Sequence, residues 1–355
     1  MIVLVAALGC GAPSDALPFG AESDACGSCH AELYAEWAGS PHARSAESPV
    51  FQALLPEVEA AWGALARDTC EGCHAPVDAP DAAVGCVMCH AAVGNHAVRD
   101  GAVAIDLEAP LAGPLGAASA ETAAHGSVAR GYLTDSASCG TCHEVSGPGL
   151  FVEHTFAEFT ASPAAASGKT CLDCHAPVVG PRPSTDATPS RTSRDHRYVG
   201  VDPPWGADAP TAAAAAAATL ALYREALTLR VERVGEAREV VVTNVGAAHA
   251  VPTGVSFLRD VWVDLTVDGV AQVDPVLRLG ADPLRDGVPV ALPTDADAMR
   301  STSLVPGESA RARLPAGALV VTLRARAIEP AILVRLGLDD LVDEQPTHDI
   351  ATVVD

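Results

Sequence analysis

Between residues 26 and 175 the chain repeats one short pattern five times: Cys26-Gly27-Ser28-Cys29-His30, Cys70-Glu71-Gly72-Cys73-His74, Cys86-Val87-Met88-Cys89-His90, Cys139-Gly140-Thr141-Cys142-His143 and Cys171-Leu172-Asp173-Cys174-His175. Two thiols three positions apart on a tight helical turn face the same side, and the next residue projects its imidazole beside them. That is the geometry for tying two vinyl groups of one porphyrin to the chain and placing a proximal nitrogen under its iron. Other chemistries of paired cysteines fit less well. A thioredoxin-like redox pair needs one Cys-x-x-Cys on a βαβ unit, structural zinc needs pairs of pairs, and disulfides do not require a histidine after every second cysteine. With 12 histidines in 355 residues, five such placements arise by chance with a probability on the order of 10⁻⁸ for the motif as defined. The pattern predicts five covalent haem c groups, with Cys26, Cys29, Cys70, Cys73, Cys86, Cys89, Cys139, Cys142, Cys171 and Cys174 as attachment points. His30, His74, His90, His143 and His175 are the proximal ligands.

Five irons then need sixth ligands. Seven histidines remain: His42, His96, His125, His154, His196, His249 and His348. Methionine is a poor alternative. Met88 lies inside an attachment motif, Met299 is far downstream, and Met1 is the only other one. Bis-His coordination, with both axial positions filled and the iron low-spin, is the expectation. His42 follows the first motif closely, His96 follows the third by six residues in a Gly-Asn turn, and His125 precedes the fourth. His196 lies in Arg194-Asp195-His196-Arg197-Tyr198, and His249 precedes the turn signal Val251-Pro252-Thr253-Gly254. His154 reads as a surface residue of a helical stretch, and His348 as a C-terminal outlier beside Pro346.

Composition sets the compartment and the partners. The formal charge is −23 and Lys169 is the sole lysine. A chain this acidic does not bind nucleic acid or an anionic lipid surface through bulk electrostatics, so a redox partner protein with a basic docking patch is expected. The opening run Met1–Cys10 is apolar and uncharged and resembles the end of an export signal without its basic region. Ala7-Leu8-Gly9-Cys10 resembles a lipoprotein cleavage box, so a lipid anchor at Cys10 is expected in an exported protein, periplasmic or tethered to the outer membrane. No later run approaches the length of a membrane span.

The chain divides by character. Residues 1–24 read as signal segment and tether, and 25–206 carry every Cys-x-x-Cys-His. Short helices at the motifs and irregular loops elsewhere are expected there, including an irregular Pro/Ser/Thr-rich stretch from Pro177 to Trp205. Residues 207–226 read as a linker helix, capped by Asp208 and running from Thr211 to Arg224. From 227 to 355 cysteine is absent and β-branched runs recur: Leu227–Val234, Glu239–Val245, Asp260–Val267, Ala318–Ile328 and Ala331–Leu336. Asp268-Gly269 follows the third run as a hairpin signal. The spacing predicts an all-β, sandwich-like domain.

Several of these motifs together resemble the multihaem cytochrome c family that includes the tetrahaem electron acceptor of hydroxylamine oxidoreductase. The resemblance rests on Tyr34, Trp37, Ser40 and His42 after the first motif and on Gly85 with the third. Glu158-Phe159-Thr160-Ala161-Ser162-Pro163 ahead of Gly168-Lys169-Thr170-Cys171, and His249 before Pro252-Thr253-Gly254, extend it to about residue 265. It implies a mainly irregular and α-helical cytochrome c domain followed by the β-domain, with His42, His96, His125, His196 and His249 as distal ligands and His154 as a non-ligand. The family has four motifs where this chain has five, and some relatives leave one haem five-coordinate. If His249 is a ligand, the β-domain is clipped to the haem domain through iron. The leading functional reading is electron transfer without bond chemistry. A multihaem oxidoreductase with one open haem, acting on a small nitrogen compound, is an alternative, although no motif departs from Cys-x-x-Cys-His. A subunit of an extracellular electron conduit or filament is another.

Overall fold

The computed structural model describes residues 22–76, 83–93, 104–113, 125–181 and 192–355. Cys10 and His96 lie outside them. Up to residue 206 the described residues form mostly short helices and ladders of two to four residues. The helices are α1 Ser23–Gly27, α2 Ala31–Ala38, α3 Pro49–Trp62, α4 Ala64–His74, α5 Cys86–His90, α6 Ser136–Gly140, α7 Thr155–Thr160, α8 Pro163–Ala166 and α9 Leu172–His175. All five Cys-x-x-Cys-His motifs lie on or at the end of a helical turn. In the first, fourth and fifth motifs the histidine closes that turn, its N–H donating to the first cysteine's carbonyl at 2.9 Å (His30, His143) or 3.0 Å (His175), and the second and third motifs lie wholly within α4 and α5. Only α3 is long. Ser48 caps it and Pro49 opens it, a favourable start because proline has no N–H to leave unpaired there.

Three small ladders connect these turns: β1 Leu111–Ala112 with β2 Ser127–Val128, β3 Val145–Ser146 with β4 Val152–Glu153, and β5 Val178–Pro181 with β6 Thr192–Arg194. The β3–β4 hairpin turns tightly through Gly149, which has a positive φ and packs on the Trp62 indole where a Cβ would collide. The β5–β6 pair falls in the stretch expected to be irregular. Arg194 anchors it, donating to the Leu172 and Ala176 carbonyls at 3.1 Å each, and so ties β6 to the C-terminal end of α9.

The second half opens with α10 Ala209–Ala226, whose first turn is capped by the Asp208 carboxylate accepting from Thr211 N–H at 2.8 Å. This helix is more than a linker. Tyr223 is buried, and Leu220 and Ala226 join it in packing against the strands that follow. Those three positions share one face at a spacing of three, a stripe that the preceding alanine run obscures in the sequence. The strands are β7 Leu227–Val234, β8 Ala237–Asn244, β9 Asp260–Val267, β10 Val270–Ala271, β11 Leu277–Leu279, β12 Ala281–Arg285, β13 Val288–Pro289, β14 Ala298–Ser301, β15 Ser309–Leu314, β16 Leu319–Arg326 and β17 His348–Val354. They form antiparallel sheets ordered β15-β8-β7, β10-β9-β16-β17 with β11 also on β9, and β13-β12-β14. Asp268 and Gly269 both have positive φ, as the expected two-residue hairpin between β9 and β10 requires.

Alternation on the strands builds one core. Leu229, Val240 and Val242 from the first sheet pack with Val261, Val263, Leu265, Leu319, Val321 and Leu323 from the second. One expected strand is wrong. Ala331–Leu336 falls on helix α11 Pro330–Arg335, followed by α12 Leu341–Glu344. A four-residue apolar run has no periodicity to separate strand from helix, and Pro330, at the first helical position, starts a turn that buries Ile332 and Leu333. A second core holds the halves together. Val50, Leu54 and Phe151 pack with Phe257, Leu258, Leu292, Ile328, Ile332 and Leu333, and Arg335 pairs with Glu57 at 3.1 Å.

Leu323 is fully buried between strands β9 and β17. Leu323→Ala is expected to destabilise the β-rich half by about 2–5 kcal/mol, read as a lower urea midpoint in tryptophan fluorescence. Val320→Ala on the same strand, at 38% exposure, should cost no more than about 0.5 kcal/mol.

Candidate haem centres

Four motif histidines face a second imidazole from a distant part of the chain. His30 lies opposite His125 with ring centres 6.4 Å apart, His143 opposite His42 at 6.4 Å, His90 opposite His196 at 6.4 Å, and His175 opposite His249 at 6.1 Å. These separations are too long for direct ring contact; Phe51 stacks on His74 at 4.2 Å. They match two imidazoles sharing one metal ion. With a metal–nitrogen bond of about 2.0–2.1 Å on each side, the ring centres fall roughly 6.3 Å apart. The donor set therefore fits bis-His haem, with Cys26/Cys29, Cys86/Cys89, Cys139/Cys142 and Cys171/Cys174 beside the respective proximal rings.

The far nitrogens are held in place. Nδ1 lies 2.6 Å from the Ala112 carbonyl in His90, 2.6 Å from that of Val199 in His175, and 3.4 Å from that of Ser45 in His74. On the distal side, His125, His196 and His249 place Nδ1 at 2.9, 2.8 and 2.8 Å from the carbonyls of Gly126, Arg194 and Ala250. An Nδ1–H donated to a carbonyl leaves Nε2 with its lone pair free for iron and fixes the ring's rotation. Burial, reinforced by the nearby His143, His74 and His175 rings, pushes His42 down to about 4, so it is a neutral imidazole at ordinary pH.

His143 differs. Its Nδ1 lies 2.9 Å from Oε1 of Glu153. The hairpin makes this pair, because Val145 faces Glu153 across β3–β4 and brings the two ends of the ladder together. Its mirror contact is His154 Nδ1 to Glu144 Oε1 at 2.9 Å, with Glu144 also accepting from Ala157 N–H. The Glu153 charge, outweighing burial, pushes the free His143 ring up to about 9.

A repeat in the sequence explains how the motifs are spaced. Ser23-Asp24-Ala25-Cys26-Gly27-Ser28-Cys29-His30 and Ser136-Ala137-Ser138-Cys139-Gly140-Thr141-Cys142-His143 share Ser-x-x-Cys-Gly-[Ser/Thr]-Cys-His. Ser23 Oγ accepts from Cys86 N–H at 2.9 Å, and Ser136 Oγ accepts from Cys171 N–H at 3.1 Å. One serine thus docks the third motif on the first, and the other docks the fifth on the fourth. In both, the glycine lets an aromatic ring sit over the motif turn, Tyr34 on Gly27 and Phe156 on Gly140. Cys142 neighbours Cys73 and Cys139 neighbours Cys171, so the fourth motif touches both the second and the fifth. Burial, aided by Cys86, pushes the Cys89 thiol up to about 11. Among the described residues no three His, Cys, Asp or Glu side chains cluster as a metal site. A structural zinc site needs four such ligands together.

Of the expected distal histidines, His42, His125, His196 and His249 each face a motif histidine, and His96 lies outside the described residues. His154 engages Glu144, and His348 sits in β17 beside Tyr223. Among the described residues no second imidazole faces His74. The serines, Glu153 and the Arg194 clamp escaped the sequence reading. The repeated Ser-x-x-Cys-Gly was the available signal for the serines.

Residues 25–91 match the family model described as cytochrome c554 and c-prime. Across the whole chain the fold is similar to that of a penta-heme cytochrome c552 from Thermochromatium tepidum, with a TM-score of 0.68 and 21% identity, covering 94% of this chain and 98% of that one. No curated protein matches the chain. The partial family match and the shared fold support a multihaem c-type cytochrome.

The double variant Cys86→Ser/Cys89→Ser, made in a host that matures c-type cytochromes, is expected to lose one covalent haem. The pyridine haemochrome absorbance per protein should fall by one fifth, with a matching loss in intact mass.

Proposed function

We propose that this protein transfers electrons through five covalently bound c-type haems, four of them held between two imidazoles. The observation that carries this is the set of four His–His pairs at 6.1–6.4 Å, each joining a motif histidine to one remote in sequence. When bound, each haem supplies a one-electron ferric/ferrous couple. The thiols tether it, the imidazole pairs close both axial positions, and the carbonyl acceptors keep the rings from turning. Filled axial sites leave no place for a substrate to bind iron, which suits a carrier. The neighbouring motifs favour passage of electrons from centre to centre.

The β-rich half, read as a sandwich-like domain, supplies His249 and so belongs to the electron path. The acidic surface and lone lysine favour a partner protein with a basic docking patch. Export, with a lipid anchor at Cys10, fits the covalent haem motifs. Among the described residues no helix is long and apolar enough to cross a membrane.

His74 supports a second reading, an oxidoreductase with one open haem, because no second imidazole among the described residues faces it. The EPR spectrum of the oxidised protein separates the two. The carrier reading expects five low-spin ferric haems, the fifth using His96, while one high-spin centre in five would favour the enzyme. Fewer than four low-spin centres would overturn the pairing. His249→Ala is expected to turn one low-spin centre high-spin, and added imidazole should restore it.

A further inference from the structure

Glu153 is a carboxylate that accepts from the ring nitrogen of a motif histidine, His143. It lies on β4, 13% exposed, with Oε1 2.9 Å from His143 Nδ1 and 3.0 Å from Thr155 Oγ1. The β-rich half closes over it. Gly254 lies against the carboxylate so closely that an added Cβ would touch Oε1 at 3.4 Å, and Thr253 meets Thr155 at 3.0 Å between hydroxyls. From Thr253 the bonding continues to Glu158 at 2.6 Å, and Glu158 also accepts from Ala250 N–H at 3.0 Å, beside His249. A carboxylate this little exposed, held by two polar partners, exerts a strong field on the ring it touches.

His90 and His175 share their Nδ1–H with neutral backbone carbonyls instead. A carboxylate draws the Nδ1 proton harder than a carbonyl does. It makes the imidazole a stronger electron donor and places negative charge near the metal, and both favour the more positively charged ferric state. We propose that Glu153 is a positioning residue that lowers the reduction potential of the centre built on Cys139, Cys142 and His143, below those centres whose proximal histidines donate to backbone carbonyls. The proposal rests on the haem reading above. Its consequence is spatial. Cys142 neighbours Cys73 and Cys139 neighbours Cys171, so the centre at the junction of the motifs is among the last to fill with electrons. Charge then collects on its neighbours, and the junction is crossed rather than occupied.

The test is a spectroelectrochemical titration of the full-length holoprotein and of Glu153→Gln, with EPR of the oxidised forms. The amide keeps the shape and removes the charge. One fifth of the reduction amplitude is expected to move from the low-potential end to higher potential, with the other four steps in place and one low-spin EPR signal shifted. Glu153→Asp keeps the charge and should hold that step between wild type and Glu153→Gln. If Glu153→Gln assembles fewer than five haems, Glu153→Asp carries the comparison. An unmoved step, or several steps moving together, overturns the proposal, since the residue would then act on nothing or through the fold. Haem counting on the wild type keeps the two readings apart. A count below five overturns the five-haem reading, whereas a full count with an unmoved step overturns only the role of Glu153.

Discussion

Pairs of imidazoles brought together from distant parts of the chain, about a metal ion's width apart, organise everything else in this molecule. His30 with His125, His42 with His143, His90 with His196 and His175 with His249 span separations of 74 to 106 residues. Short helices and ladders of two to four residues make little conventional core, and aromatic residues are only 4% of the chain. Each pair closes a long loop, and a coordinate link that closes a long loop offsets the entropy that such a loop would otherwise cost. In the proposed reading, covalent haems take the place of large side chains as the interior of the first half.

The two halves cooperate through this constraint. The β-rich half is a self-sufficient packing unit, with alternating valines and leucines on β9 and β16 against those of β7 and β8. Its loop from His249 to Arg259 reaches back across the first half. That loop presents His249 to His175, covers Glu153, pairs Arg259 with Asp202 at 2.9 Å and buries Phe257 and Leu258 against α3. A rigid sheet is a better platform for such a loop than the irregular chain around the motifs, because position errors of a few tenths of an ångström matter at a metal.

The motif serines show how a modular pattern becomes a fixed array. A helix N-terminal turn leaves free N–H groups, and the first cysteine of the third motif gives its own to a serine of the first module, as that of the fifth does to a serine of the fourth. The same device used twice, with the same glycine making room for an aromatic ring, makes the first–third and fourth–fifth pairs variants of one unit. The second motif, on the longer helix α4, joins through Cys73 instead.

Much of this could be read from residues alone. The placing of all five Cys-x-x-Cys-His motifs on helical turns was legible because the pattern is local: five residues on one turn carry the whole signal. Strands β7 and β9, the hairpin at Asp268-Gly269 and the Asp208 cap were legible for the same reason, as periodicity and turn chemistry act over a few residues. The distal histidines could be shortlisted by elimination, but which faces which was decided by tertiary structure, since a bond to a shared metal depends on distances between segments a hundred residues apart. The packing of α10, the helical state of Ala331–Leu336 and the meeting of Glu153 with His143 belong to the same class. In each, the sequence allowed several outcomes of nearly equal local energy, and burial against a remote surface or a cross-strand partner chose among them.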